Sequence, residues 1–202
     1  MEILNSLGVL LGSSWASGIN LYMTVGALGI MSRLGVINLP GNMDVLAHPA
    51  IIITAIVLYA VEFFADKIPV VDSTWDSIHT FIRPFGGAAL GYMAMANFGP
   101  AAQIPVALAT GGVAMDSHLT KATTRVAINT SPEPVTNSVA SVTEDSLVAG
   151  ILYLIVTHPI IASILVVLFI LFSIWFLKVM FRFLRKVFSF LTGTNTGTTA
   201  ST

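Results

Sequence analysis

Three long stretches of this chain contain no Asp, Glu, Lys or Arg: Ile3 to Ser32, Pro84 to Met115 and Ser146 to Leu177. Val45 to Val61 is a fourth, in which His48 is the one titratable group. A helix needs roughly 20 apolar residues to cross the hydrocarbon of a bilayer. In water such runs would have to be buried, and the chain lacks the polar surface to bury them. Hydrophobic residues make up 55% of it and charged ones 9%, against about 25% charged in a soluble domain. Mean hydropathy is +0.86. The expected fold is therefore all-α, a polytopic transmembrane helical bundle of about six membrane segments, some short or broken.

Other classes fall away on composition. There is no cysteine, which removes disulfides, thiolate zinc sites and cysteine nucleophiles. The net charge of −1 gives no pull toward nucleic acid, and no cofactor motif stands out. Glu2 stands where a cleavable signal would carry basic residues, so the first apolar run is expected to be retained. The sequence reads as one transmembrane domain over 1–190, followed by a small, polar, repetitive tail over 191–202 that is expected to be disordered.

The expected segments lie near 3–32, 49–66, 85–99, 101–120, 132–157 and 159–177. Pro100 and Pro105 divide the second run into two short helices that form a hairpin, either spanning or re-entrant. Ser131, Pro132 and Glu133 supply a cap, a first-turn proline and a first-turn acid for the fifth. "LAHPAIIITAIVLYAVEFF" (46–64) resembles "VTHPIIASILVVLFILFSI" (156–174), and "GIN" (18–20) recurs as "AIN" (127–129) at nearly the same offset. Either the chain holds duplicated units near 18–67 and 127–178, or apolar helices simply look alike. Lys178, Arg182, Arg185 and Lys186 follow the last run and suit anionic lipid headgroups on the cytoplasmic side. Counting back from them places both termini in the cytoplasm of a multi-pass inner-membrane protein, and leaves only Arg33 of the nine basic residues outside.

Against this background the charges are concentrated. Residues 61–84, "VEFFADKIPVVDSTWDSIHTFIRP", hold Glu62, Asp66, Lys67, Asp72, Asp76 and Arg83, with His79. Glu62 and Asp66 share a helix face four residues apart. Asp72, Asp76, His79 and Arg83 form one polar stripe, opposite Trp75, Ile78 and Ile82. This predicts an amphipathic helix in the membrane interface, ended by Pro84. The bland alternative is a solvated polar face; the functional one is a vestibule whose carboxylates and histidine bind a cation or relay protons.

A second cluster runs from Asp116 through His118, Lys121, Arg125 and Asn129 to Glu133. His118, Lys121 and Arg125 share a helix face. Asp116, Glu144 and Asp145 fall at membrane depth, where an unpaired charge costs roughly 2.5–3.5 kcal/mol. Lys121 and Arg125 are the nearest cations to pair with them. From 62 to 145 eight acids face four bases, an excess that leans toward cation or proton handling.

"SGINLYMTVGALGIMSRLG", "EFFADKIPVVDSTWDSIHTFIRP" and "ATTRVAINTSPEPVTNS" together resemble the bacterial membrane family called domain of unknown function 4126, over roughly residues 10 to 180. The resemblance implies a small integral membrane protein and carries no settled activity with it. Three functions compete. A small transporter or channel fits the broken helices and the deep acids, and a chain this short would act as a homo-oligomer. A structural or lipid-organising protein would use the charges as locks and "GGAALGYMAMANFG" (86–99) for close helix packing. An intramembrane enzyme acting on a lipid phosphate has carboxylates and histidines available, but no HExxH, GxSxG or glycine-rich phosphate loop.

Overall fold

The computed structural model describes residues 2–129 and 134–191. These residues form seven α-helices: α1 (Glu2–Ile19), α2 (Leu21–Arg33), α3 (Pro49–Ala65), α4 (Pro69–Ala94), α5 (Pro100–Asn129), α6 (Pro134–Thr157) and α7 (Pro159–Leu191). No strand occurs among the described residues. Proline sets the starts: each of α3 to α7 opens on one. At that position the fixed φ already suits a helix, and the missing N–H would have had no partner. Both His-Pro pairs open helices as the sequence suggests, and His48 Nδ1 caps α3 by accepting from Ala50 N at 3.3 Å. Glu133 and the expected cap before it lie outside the described residues, as does the tail from 192 onward.

Two prolines do not act as breaks. Pro84 lies inside α4 and Pro105 inside α5. The expected interfacial helix and the 85–99 segment are therefore one helix, and the 101–120 segment continues to Asn129. An interior proline removes one backbone hydrogen bond. Close packing between the two helices, which run antiparallel through a turn at Gly99, offsets that loss. A Cβ on Gly87 would come within 2.5 Å of Ala114 Cβ, and one on Gly91 would overlap Thr110. The small residues of 86–99 are thus used inside the protein. The interfacial helix is a correction in a second sense: Asp72, Asp76, His79 and Arg83 are buried, while Phe81, Ile82 and Phe85 are exposed.

The first apolar run is not one span but two helices hinged at Asn20. Asn20 leaves the helical region at φ −146° and ψ 96°, and its side chain caps α2 by accepting from Met23 N at 2.9 Å. The chain then doubles back. Residues Val36, Asn38 and Pro40, beyond α2, line the same crevice as Ser6 and Val9 near the start of α1. Along α2, Gly26 faces Ala55 and Gly29 faces Leu46 and Ile52, so α2 runs antiparallel to α3.

This gives the bundle two distinct ends. The His-Pro end gathers the start of α1, the 36–48 loop, the α4–α5 turn and the α6–α7 corner. There Asn42 N donates to Met93 O at 2.9 Å, and Gly8 packs on Pro159. The far end holds the α3–α4 turn and the last turns of α5. The tip of the α1–α2 hairpin points toward it. α1 is central and packs against α4, α5, α6 and α7. The apolar core, including Val9, Leu10, Leu28, Met43, Leu90, Val148 and Val166, fills the bundle on the His-Pro side of the tip.

Large apolar side chains face outward on most helices, among them Phe64, Phe81, Leu108, Val135 and Tyr153. Two helical stretches, Val135–Thr157 and Pro159–Lys186, are long and apolar enough to cross a membrane, and Pro49–Ala65 is a shorter apolar helix. Only 28% and 17% of the apolar windows of the two long stretches are buried. The core helix of a water-soluble protein would be mostly covered.

Candidate functional site

The C-terminal end of α1 leaves carbonyls without helical partners, as every helix does. Here cations satisfy them. Arg83 Nη1 donates to Gly18 O at 3.1 Å, and Lys121 Nζ donates to Ile19 O at 3.3 Å. Gly18 is required for this approach, because a Cβ there would overlap Ser117 Oγ and the Ala114 carbonyl of α5. Asn20 Nδ2 donates to Asp145 Oδ1 at 3.0 Å, which ties the tip to α6.

The two cations are also the centre of an ion-pair network. Arg83 Nη2 pairs with Glu62 Oε1, and Arg83 Nη1 stands 3.6 Å from Asp76. Lys121 reaches Asp66 at 3.0 Å, Glu144 at 3.5 Å and Glu62 at 3.6 Å. Arg125 holds Glu144 in a two-point fork at 3.0 and 2.7 Å. Arg125 also donates to the Asp66 and Asn137 carbonyls and stands 3.8 Å from Asp72. Asn129 Nδ2 donates to Asp72 Oδ2 at 3.1 Å, and Asn129 Oδ1 accepts from Asn137 Nδ2 at 2.9 Å. Glu62 and Arg83 are 0% exposed and Arg125 is 1% exposed.

Two histidines flank the network. Arginine can only donate, so its 2.9 Å contact makes His118 Nδ1 an acceptor and puts the His118 proton on Nε2. Thr80 Oγ1 accepts that proton at 2.9 Å and passes its own to the Asp76 carbonyl at 2.9 Å. His79 Nδ1 donates to the Trp75 carbonyl at 2.8 Å, and Nε2 shares a hydrogen bond with the Tyr22 hydroxyl at 3.0 Å. Trp75 stacks on the same ring.

Among the described residues the network holds five acids (Glu62, Asp66, Asp72, Asp76, Glu144) and three bases (Arg83, Lys121, Arg125). With every group ionised the network carries −2, before Asp145 beside it is added; Glu144, like Asp145, is only partly buried. Burying an ion costs several kcal/mol unless it is paired and hydrogen-bonded. The surplus shows in the geometry: Glu62 Oε2, Asp66 Oδ1, Asp72 Oδ1 and both oxygens of Asp76 are buried and accept no hydrogen bond. Lys67, in the α3–α4 turn, stands outside the network. Its ammonium sits 3.1 Å over the Phe63 ring, and desolvation draws its pKa below the usual lysine value.

The residue pattern also matches a known family, the one described as domain of unknown function 4126, over residues 7–179. The chain belongs to that family. No curated protein and no solved structure matches it.

Of the residues singled out from sequence, Glu62, Asp66, Asp72, Asp76, His79, Arg83, His118, Lys121, Arg125, Asn129, Glu144 and Asp145 converge on this one region of the family domain. Asp116 does not. It lies on another face of α5, where both of its oxygens accept from Ser173 of α7, at 2.7 and 2.6 Å. Lys178, Arg182, Arg185 and Lys186 lie apart as well, exposed along the end of α7. Sequence reasoning missed Asn20, Tyr22, Tyr59 and Asn137. Tyr59 donates to Asp145 at 3.2 Å. The repeated "GIN" and "AIN" were a usable sign for Asn20, since each asparagine ends a helix and reaches an acid.

Proposed function

We propose that this protein is a small multi-pass membrane transporter that handles a cation or a proton-coupled solute through the charge cluster at the α1–α2 tip. The acid surplus carries this reading: four buried carboxylates and the partly exposed Glu144 face three buried cations, and carboxylate oxygens are left without hydrogen-bond partners. A lock between helices would balance its charges, because unbalanced ones destabilise it. A site that takes up and releases a positive charge needs the imbalance.

The outward apolar faces and the inward charges support lipid as the surrounding solvent. α3 to α7 then cross the membrane, and α1 with α2 enters from the His-Pro end and turns back at Asn20. Broken helices that aim their ends at an ion site near the middle of the bilayer are a recurring transporter device. Five crossings put the termini on opposite sides, in place of the common side that six would give. Lys67 and the basic end of α7 favour the far end as cytoplasmic.

The test is ion-jump electrophysiology on proteoliposomes adsorbed to a supported membrane. A rapid change of Na+, K+ or pH should displace charge in the wild type, and Glu62→Gln should abolish the response while the protein still elutes as a folded species. If no ion moves charge and Glu62→Gln merely lowers the melting temperature, the network is structural and the transport reading is wrong.

A further inference from the structure

Within that transport reading, the geometry points to Asp76 as a proton carrier, whose loading decides whether Arg83 holds the tip of the α1–α2 hairpin. Both Asp76 oxygens are buried and neither accepts a hydrogen bond, although the residue is only 4% exposed. A carboxylate left this way carries the full desolvation penalty; a carboxylic acid carries far less. Its one ion-pair partner, Arg83, is committed elsewhere: to Glu62, to His118 Nδ1 at 2.9 Å and to Gly18 O at 3.1 Å, with Asp76 beyond at 3.6 Å. Arg83 is placed as it would be if Asp76 were neutral.

A metal ion fits the cluster less well than a proton. Among the described residues no three Asp, Glu or His side chains converge as a metal would need. The groups around Asp76 are Tyr22 of α2, Glu62 and Asp66 of α3, Asp72, His79 and Arg83 of α4, His118, Lys121 and Arg125 of α5, and Glu144 of α6. His118 is held neutral by the bond it accepts from Arg83, and both ring nitrogens of His79 are engaged, by the Trp75 carbonyl and the Tyr22 hydroxyl. Each of the other four acids accepts at least one hydrogen bond, Glu62 from Arg83, Asp66 from Lys121, Asp72 from Asn129 and Glu144 from Arg125. Asp76 accepts none.

The step itself is small. The Asp76 O–H bond breaks, its electron pair stays on the carboxylate, and the proton leaves to water at the far end. Arg83 Nη1 is then drawn from Gly18 O and His118 toward Asp76. That frees the last carbonyls of α1, and with them the tip. Reprotonation returns Arg83 to Gly18 O and closes it again. Arg83 is thus a positioning residue and Asp76 the proton site.

Two measurements test this on the whole protein in lipid. Infrared spectroscopy of wild type near neutral pH should show the C=O stretch of a protonated carboxyl. That band should shift when aspartate is labelled with carbon-13 and should be absent in Asp76→Asn. A pH jump at fixed Na+ and K+ should displace charge in wild type and in Asp76→Glu, and at least tenfold less in Asp76→Asn; a Na+ jump at fixed pH should displace none. A Na+ response without a pH response would overturn the inference and leave transport standing. So would a pH response that survives in Asp76→Asn, or a wild-type spectrum with no aspartic acid band. Silence to every jump would overturn the transport reading and this inference together.

Discussion

Arg125→Met removes the guanidinium that ties α5 to α3, α4 and α6 at once. The wild-type group makes a two-point fork with Glu144, donates to the Asp66 and Asn137 carbonyls at 3.3 and 3.1 Å, and stands 3.5 and 3.8 Å from the Asp66 and Asp72 carboxylates. Methionine fills similar space and offers no donor. Glu144 keeps only Lys121 at 3.5 Å, and Asp72 keeps only the neutral Asn129 of those partners. Breaking a buried pair by removing one partner costs about 3–5 kcal/mol, because the other charge stays behind. For a chain of this size that is on the order of 6–20 °C in melting temperature. The loss should be largely recovered by adding Glu144→Gln, with a coupling of about 1–3 kcal/mol between the two changes. Intrinsic-fluorescence melts in detergent for wild type, both single variants and the double variant close the cycle. A drop below about 1 kcal/mol in Arg125→Met, or no recovery in the double variant, would refute the argument, since exposed pairs behave that way.

Four further outcomes are expected. Asn20→Ala loses the α2 cap and the bond to Asp145, and should cost about 1–2 kcal/mol in the same melts. Gly18→Val places side-chain atoms on Ser117 and the Ala114 carbonyl, and should destabilise more than Gly112→Val, whose added Cβ meets nothing within 4 Å; equal losses would contradict the close crossing of α1 and α5. Because the chain has no native cysteine, Asn38→Cys and Lys186→Cys can be labelled singly, and impermeant maleimide should reach them from opposite faces of oriented vesicles. Replacing Lys178, Arg182, Arg185 and Lys186 by Gln should leave the melting temperature within a few degrees. It should weaken association of the α7 end with anionic vesicles by about 1 kcal/mol per residue, read by the depth of a spin label on Ser189→Cys.

Much of the cluster was legible because charge in so apolar a chain has few places to go. Spacing alone grouped Asp72, Asp76, His79 and Arg83, and likewise His118, Lys121 and Arg125, on two helix faces, and the structure brings those faces together. The solvent side was misread. A stripe of charge opposite a stripe of Trp and Ile looks the same whether the polar face meets water or the inside of a bundle. Only the partner helices decide it. Asp116 was grouped with the cluster by proximity in sequence, yet two residues along a helix turn a side chain most of the way to the other face, and there Ser173 receives it. Glu144 and Asp145 diverge for the same reason, one to Arg125 and the other to Asn20. The fold back at Asn20 was not legible at all. Its direction is set by Arg83 and Lys121, which bond the tip from 65 and 102 residues away.

That distance has a consequence for how the protein is made. The α1–α2 hairpin leaves the ribosome before α3 to α7, but its tip bonds to Arg83, Ser117, Lys121 and Asp145, the last of them 125 residues later than Asn20. Contacts so far apart in sequence form late, after the loops between them have closed. The hairpin must therefore wait, unfinished, while the helices that receive it are synthesised. Nascent chains arrested before residue 83 should leave it open to protease, and chains released past residue 157 should protect it. The α1–α2 hairpin is translated before every helix that receives it and is placed only after them.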